Sequence, residues 1–304
     1  VAKENCHRRI QIDSCDQRLK QNLKAATVQL PSNTIGVFDS GIGGLSVLAA
    51  LRAELPTHDF IYAADSAHSP YGERDTAYVL ARSRKLVNWL SQQRVGILVL
   101  ACNTATAAAI ESLRAEFPHL PMVGVEPALK PACLVSKTGH VGVLATRSTL
   151  TSQRFQALLA AQAASAHFTL QACDGLADAI EQSAVSGDKT QTLALCQKYI
   201  AMLGEIGNHT DAIDTLVLGC THYPFVSDQL QQLLGNEVQL LSNGAAVARQ
   251  TRRLLAASMP TSSQEKIITE LGLTRLVSSG QAQTLQAAAS RWLGLEAVVE
   301  VLAI

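Results

Sequence analysis

Leu98-Val99-Leu100-Ala101-Cys102-Asn103-Thr104 and Leu216-Val217-Leu218-Gly219-Cys220-Thr221-His222 are two copies of one pattern. Each is an apolar run with the length of a buried strand, closed by a cysteine and small polar residues. Two copies so far apart predict two similar halves of the chain, with a thiol at the same place in each. Thiols that meet in one cleft would suit a proton transfer able to run in both directions.

The pattern around the first copy alternates strand and helix. Ile35-Gly36-Val37-Phe38 reads as a strand that Asp39-Ser40-Gly41-Ile42-Gly43-Gly44 turns into a helix striped by Leu45, Leu48, Leu51 and Leu55. A strand at Phe60 to Ala64, a helix from Asp75 to Gln93, a strand at Ile97 to Ala101 and a helix from Ala105 to Phe117 follow. Met122 to Val125 closes the set. The order then restarts, because Val141-Gly142-Val143-Leu144-Ala145-Thr146 echoes Ile35-Gly36-Val37-Phe38-Asp39-Ser40. Unequal intervals from glycine to cysteine indicate related halves with different insertions rather than a tandem solenoid. Residues 242–304 return to helix, most clearly from Ala245 to Ala257.

The predicted fold is therefore α/β, with two similar doubly wound parallel-sheet domains facing a central cleft. Residues 1–33 form an N-terminal extension. Residues 34–128 plus 241–304 form a first domain carrying Asp39 and Cys102, and residues 129–240 a second carrying Cys220. Open α/β sheets bind ligands at the carboxyl ends of their strands, which puts Asp39, Cys102, Thr146 and Cys220 in that cleft.

Bulk composition narrows the function. In 304 residues, Lys+Arg and Asp+Glu balance at 25 each, which removes any whole-protein argument for nucleic acid or an anionic membrane. Apolar residues make up 47 % and aromatics only 4 %, so the cores should be aliphatic. No apolar run reaches the roughly 18 residues of a membrane span, and Val1 to Asn33 lacks the apolar core of a signal peptide. Seven cysteines without a compact framework suggest free thiols in a reducing cytoplasm.

Among side chains able to do chemistry, Cys102 and Cys220 come first. Only a thiolate is a base, and a position just before a helix N-terminus lowers a thiol's pKa. Thr104 would cap the helix after Cys102. Thr221 or His222 would cap the one after Cys220, with Pro224 in its first turn. The alternative for each cysteine is a small hydrophobe of the core. His222 could relay a proton to Cys220, or be merely structural. Asp39 could accept from a substrate ammonium, assist a thiol, or cap the Gly-rich turn. Ser40 to Gly44 resembles an anion cradle made of backbone N–H groups, although it is no P-loop and an incomplete dinucleotide fingerprint. Pro70-Tyr71-Gly72 reads as a rigid turn. Asn103, Thr104 and Thr221 bring amide and hydroxyl groups beside the sulfurs, which fits a small carboxylate-bearing amino acid.

No zinc-like spacing accompanies Cys220 and His222, and Lys130 alone does not argue for pyridoxal, so no metal and no cofactor are expected. The remaining cysteines (Cys6, Cys15, Cys133, Cys173, Cys196) read as surface or packing residues.

Five segments together resemble the glutamate racemases of the cofactor-independent Asp/Glu racemase superfamily. They are Val37 to Leu45, Ser69-Pro70-Tyr71-Gly72-Glu73, Ala101-Cys102-Asn103-Thr104-Ala105, Gly124-Val125-Glu126-Pro127-Ala128 and Gly219-Cys220-Thr221-His222-Tyr223-Pro224. The resemblance covers residues 34–304. It implies that Cys102 and Cys220 act as base and acid on opposite faces of Cα, interconverting L- and D-glutamate for peptidoglycan synthesis. It further implies substrate contacts from Asp39, Ser40, Tyr71, Gly72, Asn103, Thr104, Thr221 and His222. Asp39 and His222 would also assist the thiols, and Glu181 would support them. Two departures stand out: Asp65-Ser66-Ala67-His68-Ser69 where the family has an Asp-Thr-Ala-Arg-like run, and Ser242-Asn243-Gly244-Ala245 where it commonly has Asp-Ser-Gly-Ala.

The extension resembles that of longer proteobacterial members, some activated by UDP-N-acetylmuramoyl-L-alanine, which makes that precursor a candidate activator here. Monomer and homodimer are both compatible with the family. An aspartate racemase differs in the room left beyond Cβ, and a nucleotide-binding or regulatory module with incidental thiols is the alternative from another class.

Overall fold

The protein is described here by a computed structural model covering residues 33–258 and 271–304; the expected extension, but for its last residue, lies outside the described residues. From Asn33 the chain runs through β1 (Thr34–Asp39), α1 (Leu45–Glu54), β2 (Asp59–Ala64), α2 (Thr76–Gln92), β3 (Ile97–Leu100), α3 (Asn103–Glu116) and β4 (Met122–Gly124). It continues with α4 (Leu129–Val135), β5 (His140–Ala145), α5 (Arg147–Thr151), α6 (Gln153–Ala160), β6 (His167–Ala172), α7 (Leu176–Ser186) and α8 (Thr190–Ala201). Then come β7 (Thr215–Leu218), α9 (Ser227–Leu234), β8 (Gln239–Leu241), α10 (Gly244–Ser258), β9 (Thr274–Ser278), α11 (Ala282–Leu293) and β10 (Val299–Val301).

Two parallel sheets result. One has the order β10-β9-β2-β1-β3-β4 and the other β6-β5-β7-β8. The stretch β2-β1-β3-β4 has the same connectivity as the whole second sheet. The register agrees as well: Gly36 lies opposite Leu98 across β1 and β3, and Gly142 lies opposite Leu216 across β5 and β7. Cys102 and Cys220 follow those two leucines at equal distance. The two thiols therefore stand at equivalent points of two copies of one topology.

Strand alternation divides the first sheet between two cores. Ile35, Val37, Phe60, Tyr62 and Val99 face Leu45, Leu48 and Leu51 of α1, Val247 and Leu255 of α10, and Leu285 of α11. Phe38, Ile61, Leu98 and Leu100 face Val79, Leu86 and Leu90 of α2 and Ile110 and Leu113 of α3. Each leucine so buried contributes about 1.5–3 kcal/mol relative to exposure. The stripe read on α1 is the one that packs, although Leu55 lies just past the helix end.

The C-terminal stretch read as helix is only partly so. Between and after α10 and α11 lie β9 and β10, which extend the first sheet beyond β2. Strands this short carry too few alternations for a period to be legible.

The chain passes from the first sheet to the second after β4 and returns after β8. Other contacts tie the halves together. Phe225 stacks on Trp292 of α11 at 3.7 Å and 7°, and the two rings pack against cores of both halves. Arg291 donates to the Ser183 carbonyl at 2.8 Å, covering a carbonyl in the last turn of α7. Among the described residues, no helix is long and apolar enough to cross a membrane.

Candidate active site

Cys102 leaves β3 and itself caps α3, its sulfur accepting from Ala105 N at 3.4 Å. The expected cap, Thr104, instead lies inside the helix, with its hydroxyl 3.2 Å from that of Thr146. Cys102 donates to Ser40 Oγ at 3.7 Å. Burial pushes the Cys102 thiol well up and the Asp39 carboxylate adds to this, while the Ala105 N–H and Ser40 pull the other way. The balance favours a protonated sulfur.

Cys220 leaves β7 in the second sheet and meets a different environment. His222 Nδ1 lies 3.6 Å from its sulfur, and His222 Nε2 lies 2.8 Å from Glu181 Oε1. Burial works to lower the imidazole pKa, but the bonds to Cys220 and Glu181 outweigh it and hold the ring well above the usual histidine range. Burial likewise works to raise Glu181, yet His222 and the Ile42 N–H bring it below its ordinary value. Neither Thr221 nor His222 provides a side-chain cap. A 3₁₀ turn, Tyr223–Val226, follows with Pro224 in its first positions.

The Gly-rich turn is filled from within. Asp39, fully buried, accepts from Gly44 N at 2.8 Å and Gly41 N at 3.3 Å through Oδ2. Ile42 N donates to Glu181 Oε1 at 3.2 Å. These N–H groups, expected to cradle a ligand anion, instead hold two of the protein's own carboxylates. Asp39 caps the turn, as one reading allowed, and keeps Oδ1 buried without a partner. Burial raises its pKa, against the pull of His222 and the Gly44 N–H.

Tyr71 and Gly72 reach the site from a short 3₁₀ turn, Tyr71–Glu73. The Tyr71 hydroxyl donates to Asp65 Oδ2 at 2.6 Å, and Arg82 of α2 grips both Asp65 oxygens at 2.9 and 2.8 Å. Ser279, just past β9, donates to Asp65 Oδ1 at 2.8 Å. In the segment that departs from the family run, the acid is thus satisfied by an arginine from α2.

One cleft of about 590 Å³, its open mouth included, brings the predicted residues together. Ser40, Tyr71, Gly72, Cys102, Asn103 and Thr104 line it from the first half; Cys220, Thr221 and His222 line it from the second. Asp39 and Glu181 are not in its lining: Asp39 touches the turn, and Glu181 stands behind His222. The wall also contains Thr146, which strand-end reasoning placed here, and Cys173, Asp174, Asp178 and Arg147, which sequence reasoning did not. Cys173 follows β6, an edge strand with an exposed or half-buried pattern that gave no strand signal. Burial pushes its thiol well up as well.

Chemically, the cleft presents two sulfurs from opposite sheets. One is backed by a protonation-prone imidazole and a carboxylate, the other by a buried acid. Amide and hydroxyl donors lie between them, an arrangement suited to removing and returning a proton.

The family model of the Asp/Glu/hydantoin racemases matches residues 45–251. The glutamate racemase of Pseudomonas aeruginosa is 48 % identical over 226 residues, covering 74 % of this chain and 83 % of that protein. That of Ectopseudomonas mendocina is 45 % identical over 268 residues, covering 88 % and 97 %. Among solved structures, Escherichia coli glutamate racemase in complex with L-glutamate and the activator UDP-MurNAc-Ala superposes with a TM-score of 0.77 at 32 % identity, covering 90 % of this chain and 99 % of that one.

Proposed function

The chain belongs to the Asp/Glu/hydantoin racemase family, and we propose that it interconverts L- and D-glutamate with two thiols and no cofactor. The observation that carries this reading is the pair Cys102 and Cys220, which end equivalent strands of two sheets and line one cleft.

Cys220 faces an imidazolium that Glu181 keeps charged, and Cys102 carries its proton. Cys220 takes the α-proton from one face of one enantiomer. Cys102 gives its own proton to the opposite face, and the product is the mirror image. The opposite direction begins with the proton on Cys220 and the charge on Cys102. That is the state the forward transfer leaves, so both directions balance with one proton shared by the two sulfurs, and Asp39 assists through its charge beside Cys102.

Charge that develops on the substrate carboxylate as Cα loses its proton is met by preorganised donors: Asn103, Thr104 and Thr221. All three donors are buried, and their seclusion from bulk water strengthens those bonds. Ser40, Tyr71 and Gly72, in the same wall, supply further substrate contacts. We assign the enzyme to the cytoplasm and to the supply of D-glutamate for peptidoglycan. UDP-N-acetylmuramoyl-L-alanine, named as activator in the E. coli complex, is assigned the same role here.

The test is to incubate L- and D-glutamate separately in deuterated buffer. Circular dichroism should decay to zero from both sides, with one deuterium appearing at Cα. Racemisation without label, or aspartate turned over faster than glutamate, would overturn the reading. Adding the muramoyl precursor should raise the rate, and an unchanged rate removes the activator assignment alone.

A further inference from the structure

The segment Ser242-Asn243 departs from the run common in the family, and it lies where the chain returns from the second sheet to the first. Asn243 directly precedes α10 and is 5 % exposed. Its amide nitrogen donates to the Glu126 carbonyl at 3.2 Å, in the first crossover, and to Asn103 Oδ1 at 3.5 Å. One side chain thus links both crossovers to the residue next to Cys102.

Asn103 is the first residue of α3, 4 % exposed, and in the wall of the cleft. Its Nδ2 is buried without a partner. A carboxamide has one accepting end and one donating end. Here the accepting end is held by Asn243 and the donating end is left unsatisfied. A buried orphan donor is costly unless a ligand supplies the missing acceptor.

We infer that Asn243 is a positioning residue, fixing the Asn103 carboxamide so that its NH₂ group, not its oxygen, meets the carboxylate of the bound amino acid. The inference rests on the proposed racemase reading for the identity of that ligand. The one Asn243 amide nitrogen serves both acceptors. Serine at this position has a single, shorter donor. Aspartate has none, and would set its charge against the Glu126 carbonyl and attract Asn103 Nδ2. The Asn103 amide would then turn over and show its oxygen to the ligand anion.

The decisive experiment is a double-mutant cycle on Asn103 and Asn243, with N243D as an added variant. In wild type, N243S, N103A and N103A/N243S, kcat/KM for glutamate is measured together with calorimetric affinity for D-glutamate and thermal stability. Losing one preorganised donor should lower kcat/KM about a hundredfold in N103A, and misplacing it about tenfold in N243S. If Asn243 acts through Asn103, the double variant matches N103A to within about twofold. N243D should fall below N243S, and D-glutamate affinity should show the same non-additivity even where turnover is too slow to measure.

The inference is overturned if N243S stays within about twofold of wild type, or if the two losses multiply in the double variant as independent sites do. A drop in thermal stability with multiplying losses marks a merely structural role. Wild-type protein that binds glutamate without racemising it counts against the racemase reading alone, since the binding cycle still judges Asn243.

Discussion

His222 Nε2 and Glu181 Oε1 lie 2.8 Å apart, and the other nitrogen of the same ring lies 3.6 Å from the Cys220 sulfur. The carboxylate is not in the cleft wall, so its influence on the sulfur passes through the imidazole. Its contribution is electrostatic: it keeps the ring charged in a site where burial alone would discharge it. Because the folded pKa of His222 is raised, the stability it contributes is full below the ordinary histidine value and fades as pH rises through the raised one.

Glu181→Gln keeps an acceptor for the ring but removes the negative charge. The imidazole pKa should fall toward its ordinary value, moving the alkaline limb of the kcat/KM profile to lower pH. Activity at mildly alkaline pH should drop about tenfold or more, on the scale of one lost proton-transfer contribution. A profile that keeps its alkaline limb in place contradicts the relay.

The two thiols call for a paired measurement. Cys102→Ser and Cys220→Ser should each lower racemisation by about 10²–10⁴-fold, the usual worth of a positioned proton-transfer group. A variant with one remaining sulfur can exchange the α-hydrogen only from one face. In deuterated buffer each should therefore label one enantiomer without inverting it, and the two variants should label opposite enantiomers. Near wild-type racemisation by either, or labelling of the same enantiomer by both, contradicts the two-face arrangement.

The turn glycines are the next target. A Cβ added at Gly41 would run into Glu181 Oε1, and one at Gly43 into the His222 ring. The glycines are therefore required by close approach of the other half of the molecule rather than by a ligand phosphate. Gly41→Ala should displace Glu181 and break its bond from Ile42 N. We expect a loss of kcat/KM of about tenfold or more, the scale of a misplaced catalytic group, with the alkaline limb shifted as in Glu181→Gln. Gly41→Ala with an unshifted pH profile would show that the turn and the relay are independent.

The same turn shows where sequence reading succeeds and where it stops. Cys102 and Cys220 were legible because a Leu-Val-Leu strand end followed by a small residue and a thiol occurs twice, and the sheets place both copies in equal register. The glycines were legible as a turn, but their purpose was not. The atoms that occupy the space beside them, Glu181 and His222, come from far along the chain. Ordinary capping preference gives Thr104 to α3, yet the helix starts one residue after Cys102 and makes the sulfur its cap. Cys173 escaped because β6 is too exposed to show a strand pattern. Arg82 and Ser279 carried no motif at all, and Asn243 stood out only as a departure from the family run. They act on Asp65 and Asn103 across contacts that exist only once the sheets have formed.

Arg82 offers a test of that long-range support. It holds Asp65 through two hydrogen bonds, and Asp65 in turn receives Tyr71 and Ser279. Burial works to raise the Asp65 pKa, but Arg82, Tyr71 and Ser279 together bring it below the ordinary value. Its stabilising contribution is therefore present above the unfolded carboxylate range and lost as pH falls through the lowered folded value. Arg82→Leu leaves the carboxylate buried and without its cation, which should cost about 3–5 kcal/mol. The melting temperature should drop by about 2–4 °C per kcal/mol for a chain of this class. Asp65→Asn in the same background removes the stranded charge and should restore much of that loss. Because Tyr71 lines the cleft and hangs from the same carboxylate, the single variant should also raise KM for glutamate more than it lowers kcat. A single variant that melts like wild type, or a double variant no more stable than the single one, would show that Asp65 is held by something other than this pair.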